Sequence, residues 1–96
     1  MNRAALITAV AESTGLTSTQ AGEAVVATLD AIARGVADGE TVALAGFGTF
    51  EQRHRAARTG RNPQTGEPME IAASVTPGFK PAAAFRRRVA EGGLQG

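Results

Sequence analysis

The sequence lacks cysteine altogether, and His54 is its only histidine. The absence of cysteine excludes disulfides, thiolate metal sites and cysteine nucleophiles, and it fits a reducing compartment. His54 has no second histidine and no acidic pair at metal-ligand spacing, so we expect no metal site and no cofactor. No serine, histidine and carboxylate set can be assembled around it either. The residues therefore favour a protein that is not an enzyme and takes no small-molecule substrate.

Long apolar runs are also absent. No stretch approaches the roughly 18 consecutive apolar residues of a membrane span. Arg3 is followed by alternating small and polar residues, which is unlike the apolar centre of a signal peptide. We therefore expect a soluble, cytoplasmic protein without a membrane partner. At 96 residues, the chain predicts a single small domain whose core is marginal alone, and association with a second subunit is a common remedy.

Charge is distributed unevenly along the chain. Residues 1–50 carry two basic and five acidic side chains, whereas residues 51–96 carry eight basic and four acidic ones, which leaves a net charge of +1 overall. An asymmetry of this kind indicates a polyanionic partner for the second half of the chain.

Helical periodicity dominates the first 40 residues. Asn2 is a good N-cap for a first helix over about residues 3–13, and Gly15 ends that helix. Thr17 and Gln20 have the spacing of a capping box at the start of a second helix, which should reach about residue 38. The second helix carries an apolar stripe, interpreted as core or dimer seam, that consists of Val25, Leu29, Ile32 and Val36.

Strand composition replaces the helical period from Thr41 onwards. Residues 41–44 predict one strand, Gly46-Phe47-Gly48 a tight turn, and Thr49-Phe50 the start of a second strand, with the phenylalanines entering the core. Alternation over residues 69–75 predicts a return strand, which Thr76-Pro77-Gly78 should break.

A basic stretch from Arg53 to Gly66 separates these strands. It contains four arginines, no acidic residue and no large apolar side chain, so it contributes nothing to a core. We predict that it protrudes as a two-stranded arm over about residues 53–76 and that it binds DNA, because guanidinium groups suit phosphates and a narrow minor groove. Pro63 lies in the turn at the tip, where the local sequence favours a simple turn former and a wedge between base pairs equally.

A short helix over residues 81–91 is predicted to follow, with Pro81 at its first position. Phe85 and Val89 share one side of this helix. The arginine cluster 86–88 has two interpretations, a solvated face that complements the helix dipole and a phosphate contact.

Three motifs together resemble the bacterial HU/IHF histone-like family. They are Gly46-Phe47-Gly48-Thr49-Phe50, then Arg55 and Arg58 before Arg61-Asn62-Pro63-Gln64-Thr65-Gly66, and then Pro77-Gly78-Phe79-Lys80. The resemblance covers residues 1 to about 91. Within it, Ser18 and Ala83 replace basic residues of many relatives, and the return strand carries Glu67 and Glu70. The scaffold is therefore less basic than is usual in the family.

The resemblance implies an α+β fold in a single domain over residues 1–96 that forms an intertwined homodimer. Residues 1–40 would be a two-helix dimerisation part, residues 41–80 a three-stranded antiparallel saddle with its arm, and residues 81–91 the last helix. The implied DNA-binding residues are Arg3, Arg53, Arg55, Arg58, Arg61, Asn62, Pro63, Gln64, Lys80 and Arg86, with Pro63 as the intercalating tip. The implied dimer core comprises Val25, Leu29, Ile32, Val36, Leu44, Phe47, Phe50, Phe79 and Phe85.

The function implied by the resemblance is that of a nucleoid-associated architectural protein, one that bends duplex DNA through the minor groove with low sequence specificity. HU and IHF are themselves standard examples of this mode of binding. Two alternatives are a sequence-preferring bender like IHF and a dimeric protein–protein interaction module that does not bind DNA. The partner subunit is an identical chain or a paralogue.

Overall fold

The computed structural model describes residues 1–95, and Gly96 lies outside the described part. The elements are α1 (Arg3–Thr14), α2 (Ser18–Ala37), β1 (Val42–Leu44), β2 (Gly48–Arg55), β3 (Arg58–Arg61), β4 (Pro68–Ile71), β5 (Ser74–Pro81) and α3 (Ala83–Gln95). Helices and antiparallel strands in this order confirm the α+β class. The chain divides into two compact units, one over Met1–Gly35 and one that begins at Val36. Every helix within residues 1–95 is too short or too polar to cross a membrane.

Helix α1 begins and ends where its capping residues predict. The Asn2 side-chain oxygen accepts a hydrogen bond from the Ala5 N–H at 2.9 Å, which satisfies one of the free donors in the first turn. At the other end, Gly15 adopts a left-handed conformation with φ of 75°, and its N–H donates to the carbonyl of Ala11. The helix extends one residue beyond the predicted range because this cap forms at Gly15 itself.

Helix α2 opens with the predicted capping box. The Thr17 hydroxyl accepts the N–H of Gln20, and the Gln20 amide oxygen accepts the N–H of Thr17, both at 3.1 Å. The helix ends at Ala37, where the Gln52 amide of strand β2 donates to the carbonyl of Val36 at 2.9 Å. This bond joins the end of α2 to the sheet, and the same carbonyl also accepts the Gly39 N–H at 3.0 Å.

Strands β1, β2 and β5 form an antiparallel sheet in that order, so β2 is central. Leu44 pairs with Gly48 across the β1–β2 turn, and the Phe47 N–H donates to the Leu44 carbonyl at 3.0 Å. The predicted turn is therefore present. Gly46 supplies the positive φ of 76° that this turn requires.

The return strand differs from the prediction in its position. Thr76-Pro77-Gly78 does not break a strand but lies inside β5, and the interruption falls earlier, at Ala72-Ala73. Pro77 is accommodated because β5 is an edge strand, which pairs within residues 1–95 with β2 alone, so the missing N–H can face away from the ladder. The predicted strand over residues 69–75 is thus divided between β4 and β5.

Helix α3 also departs from the predicted range of 81–91. Pro81 ends β5 by pairing with Gly48, and Ala82 donates its N–H to the Phe47 carbonyl at 2.9 Å, so the helix starts only at Ala83. It continues to Gln95. The arginines at 86–88 consequently lie before its last turn, which contains no basic residue. The interpretation that they complement the dipole at the C-terminal end of the helix is therefore wrong.

The single chain buries little apolar surface. Among the described residues, the buried hydrophobic side chains are Ala21, Val25 and Val36. The accessible surface is 7627 Å². A folded monomer of this mass is expected to expose about 5,200 Å².

The predicted dimer-core residues fall into three groups by exposure. Val25 and Val36 are buried, while Ile32, Phe50, Phe79 and Phe85 are half-buried. Leu29, Leu44 and Phe47 remain 46%, 37% and 44% exposed. Most of this predicted core is therefore still open in one chain.

Candidate nucleic-acid interface

The two faces of the β2–β5 pair have opposite character. Because side chains alternate along a strand, residues directly opposite each other in the register share a face. One face carries the pairs Thr49–Lys80, Glu51–Gly78, Arg53–Thr76 and Arg55–Ser74, and the other carries Gly48–Pro81, Phe50–Phe79, Gln52–Pro77 and His54–Val75. The first set, called the polar face here, contains three cations, and the second is mostly apolar.

A cluster of all four phenylalanines supports the sheet from its apolar side. Phe47 stacks on Phe85 with ring centroids 4.8 Å apart, and Phe50 approaches Phe79 at 4.6 Å. Phe79 also contacts Phe47 at 5.4 Å. Aromatic pairs at these separations add to the stability that burial alone provides. The cluster ties α3 to the sheet and holds the polar face on a rigid support.

Gly48 has a packing role that the sequence pattern did not indicate. It is buried in strand β2, and its φ angle is not positive, so the backbone conformation does not require glycine. A Cβ atom at this position would lie 2.5 Å from two ring carbons of Phe79 and 2.7 Å from the Lys80 carbonyl oxygen. Only glycine lets the Phe79 ring pass this close to the strand.

Arg53, Arg55 and Lys80 lie together on the polar face, and all three are exposed. Arg53 reaches along the sheet, and its Nη2 donates to the Phe79 carbonyl at 3.4 Å. Glu51 shares this face and is half-buried. Prediction from the arginines alone missed Glu51, although its separation of two residues from Arg53 would have placed it there.

The distal arm is a separate two-stranded sheet of β3 and β4. Arg58 pairs with Ile71, and Arg61 pairs with Pro68, so these two arginines lie on opposite faces of the ribbon. Between the two sheets lie the dipeptides Ala56-Ala57 and Ala72-Ala73, and equal numbers of residues on both sides keep the register continuous. The arm is thus interrupted by small side chains without any slip in pairing.

Hydrogen bonds organise the tip of the arm. The Asn62 side-chain oxygen accepts the N–H of Gln64 at 2.9 Å, and the Asn62 carbonyl accepts the N–H of Gly66 at 2.7 Å. Gly66 has φ of 72°, as its place in the turn predicts, and its carbonyl accepts a bond from Nη1 of Arg61 at 3.2 Å. Pro63 is exposed at the apex. The loop therefore presents a rigid, apolar residue at its end.

The remaining predicted contact residues lie on helices. Arg86 is exposed on α3 and borders an apolar groove with Phe79, Phe85 and Val89. Arg3 is exposed at the start of α1, in the other compact unit. Within residues 1–95, no group of three or more histidine, aspartate and glutamate side chains is placed to hold a metal ion.

Comparison with known proteins identifies the family. The family model for bacterial DNA-binding proteins matches residues 1–90. The chain belongs to this family. Within the family it is 54% identical to the DNA-binding protein HU of Geobacillus stearothermophilus over 89 residues, which cover 93% of this chain and 99% of the relative. It is 52% identical to DNA-binding protein HU of Staphylococcus aureus with the same coverage.

Solved structures of family members have the same fold. A cocrystal structure of Anabaena HU with DNA superposes with a TM-score of 0.86 at 47% identity, covering 94% of this chain and 98% of that one. An HU mutant from Thermotoga maritima gives a TM-score of 0.69 at 27% identity, covering 93% and 99%. These similarities confirm the HU-type assignment that the three motifs indicated.

Proposed function

We propose that this protein is a nucleoid-associated architectural protein that binds duplex DNA with little sequence preference and bends it. Membership of the bacterial DNA-binding family and the similarity to an HU crystallised with DNA support this proposal. The observation that carries it is the collection of Arg53, Arg55 and Lys80 on one exposed face, which continues into an arm with further arginines.

The chemistry of the polar face fits a phosphate backbone. Arginine is always charged and offers a fork of N–H donors, so it binds phosphate oxygens in a fixed geometry. Contacts of this kind hold a protein on the duplex without reading its sequence. Three hydroxyl residues add donors on the same face, each directly opposite one of the cations: Thr49, Thr76 and Ser74.

The distal arm fits the minor groove. Arg58 and Arg61 lie on opposite faces of a ribbon only two strands wide, so inside a groove they would face opposite walls. Pro63 at the apex has the rigidity and apolar surface of a wedge. Inserting such a wedge between base pairs costs a few kcal/mol of stacking, which the contacts of a bent duplex repay.

The functional unit in this proposal is a dimer with two arms. The surface of the single chain exceeds the expectation for a monomer by about 2,400 Å². In the helical unit, an apolar groove is lined by Leu6, Val10, Val25 and Leu29. A second copy covering such surfaces would complete the core, with residues 1–40 as the dimerisation part and residues 41–80 as saddle and arm.

A mobility-shift titration across salt concentration tests the proposal. Two arms supply eight arginines, so log K should fall with log salt with a slope of about −5 to −7 if most of them reach phosphates. Linear, nicked and pre-bent duplexes are compared in parallel, and the bent and nicked forms should bind more tightly because part of the bending cost is already met. No binding at low salt would refute the DNA-binding function.

Two arginine variants supply the matched control. Arg61→Gln should reduce the slope by about 2, because one phosphate contact is lost from each subunit. Arg34→Gln removes the same charge from a side chain that pairs with Asp30 at 3.1 Å on α2, and it should leave the slope unchanged. Selection from random duplexes then distinguishes the HU-like mode from a sequence-preferring one, since a sharp consensus would contradict low specificity.

A further inference from the structure

Gly78 lies at the centre of the polar face and is buried beneath Arg53. It pairs with Glu51 on β2, and Arg53 is its diagonal neighbour on the same face. Gly78 has no positive φ, so its backbone conformation is open to any residue. The reason for glycine at this position must therefore be space.

The space above Gly78 is filled by the Arg53 side chain. A Cβ atom at position 78 would lie 2.6 Å from Cδ and 2.7 Å from Cγ of Arg53, and it would overlap Nε. Beyond this crossing, Nη2 of Arg53 donates to the Phe79 carbonyl. The arginine thus lies flat across strand β5, and both its aliphatic stem and its guanidinium are in contact with the sheet.

We propose that Gly78 is a positioning residue for the DNA contact made by Arg53. This inference rests on the proposed function. Arginine loses much rotamer freedom when it is ordered at an interface, and a side chain already ordered in the free protein avoids that loss at binding. By leaving room for the stem, Gly78 orders Arg53 before DNA arrives and leaves the remaining N–H donors of the guanidinium for a phosphate.

An alanine at position 78 would clash with a side chain, that of Arg53, and not with the backbone. Every atom that the new methyl group would meet most closely belongs to Arg53, which is exposed and can move away. Gly48 is different, because its nearest atoms include the Lys80 carbonyl oxygen. Gly78→Ala should therefore displace Arg53 and leave the fold intact.

A double-mutant cycle in the full-length protein tests this role. Duplex affinity is measured by fluorescence anisotropy at several salt concentrations for the unaltered protein, Gly78→Ala, Arg53→Ala and the double variant. Gly78→Ala should weaken binding roughly five- to a hundredfold, the cost of ordering one long side chain in each subunit. The double variant should bind as Arg53→Ala alone does, because Gly78 acts through Arg53.

Two further measurements separate positioning from a general structural effect. Gly92→Ala serves as the control, because a Cβ there meets nothing within 4 Å, and it should not change affinity. In the free protein, the Arg53 Nε–H signal should exchange slowly with water, and Gly78→Ala should accelerate that exchange while the melting temperature changes little.

The outcomes distinguish this inference from the proposed function. If the unaltered protein fails to bind duplex DNA at low salt, the proposed function falls and the inference falls with it. If the unaltered protein binds and Gly78→Ala binds equally well, only the role of Gly78 is overturned. Independent, additive losses from the two substitutions would likewise overturn it.

Discussion

Dilution should lower the melting temperature of this protein, because the proposed core is completed only by a second chain. One chain exposes 7627 Å², and Leu29 in the apolar stripe of α2 is 46% exposed. When folding and association are coupled, each tenfold dilution costs about 1.4 kcal/mol of apparent stability. For a unit of about 190 residues that unfolds together, this corresponds to about 3–6 °C per tenfold dilution.

A pair of lysine substitutions on α2 locates the interface. Complete burial of a leucine contributes about 1.5–3 kcal/mol, so covering the exposed half of Leu29 in each subunit contributes about 2 kcal/mol per dimer. Leu29→Lys loses this contribution from burial and also buries an ammonium group. The dissociation constant of the dimer should therefore rise at least about 30-fold. Ala27→Lys adds the same charge on the opposite side of the helix, between Glu23 and Asp30. The dimer of this variant should have the same dissociation constant as the unaltered protein.

The assay combines thermal unfolding followed by circular dichroism over a hundredfold range of concentration with sedimentation equilibrium. A dimer should show a total shift of about 6–11 °C over that range. A melting temperature that stays constant within 1 °C, together with the sedimentation mass of one chain, would refute the argument from exposed surface. Equal effects of the two lysine substitutions would contradict the assignment of the interface to the apolar stripe.

Three other substitutions test the tip, the sheet and its junction with α2. Pro63→Ala should reduce the bend angle more than the affinity at low salt, and energy transfer between the duplex ends measures this; an unchanged bend would remove the wedge role. Gly48→Ala should lower the free energy of unfolding, measured in urea, by about 1–3 kcal/mol, because the new methyl group meets the Phe79 ring and the Lys80 carbonyl. A loss below about 0.5 kcal/mol would contradict this packing. Gln52→Ala should lower the free energy of unfolding by about 0.5–1.5 kcal/mol, because the hydrogen bond to the Val36 carbonyl is lost. The affinity for DNA at low salt should not change.

The errors of the sequence-based predictions have physical causes outside the local pattern. Pro77 and Gly78 are strand breakers by composition, yet β5 contains both because it is an edge strand and because Arg53 needs the space above Gly78. Pro81 suits the first turn of a helix, but pairing with Gly48 holds it in the strand. In each case, a partner distant in the sequence decided the conformation.

Local sequence by itself determined the caps of the helices, the turn at Gly46, the exposed tip with Pro63 and the family, because each depends on residues close together in the chain. Only the tertiary structure decided which side chains of different strands share a face. It placed Lys80 on the same face as Arg53 and Arg55, and it put Thr76 and Ser74 directly opposite these two arginines. These relationships depend on strand register, which is set by pairing between residues 19 to 33 positions apart.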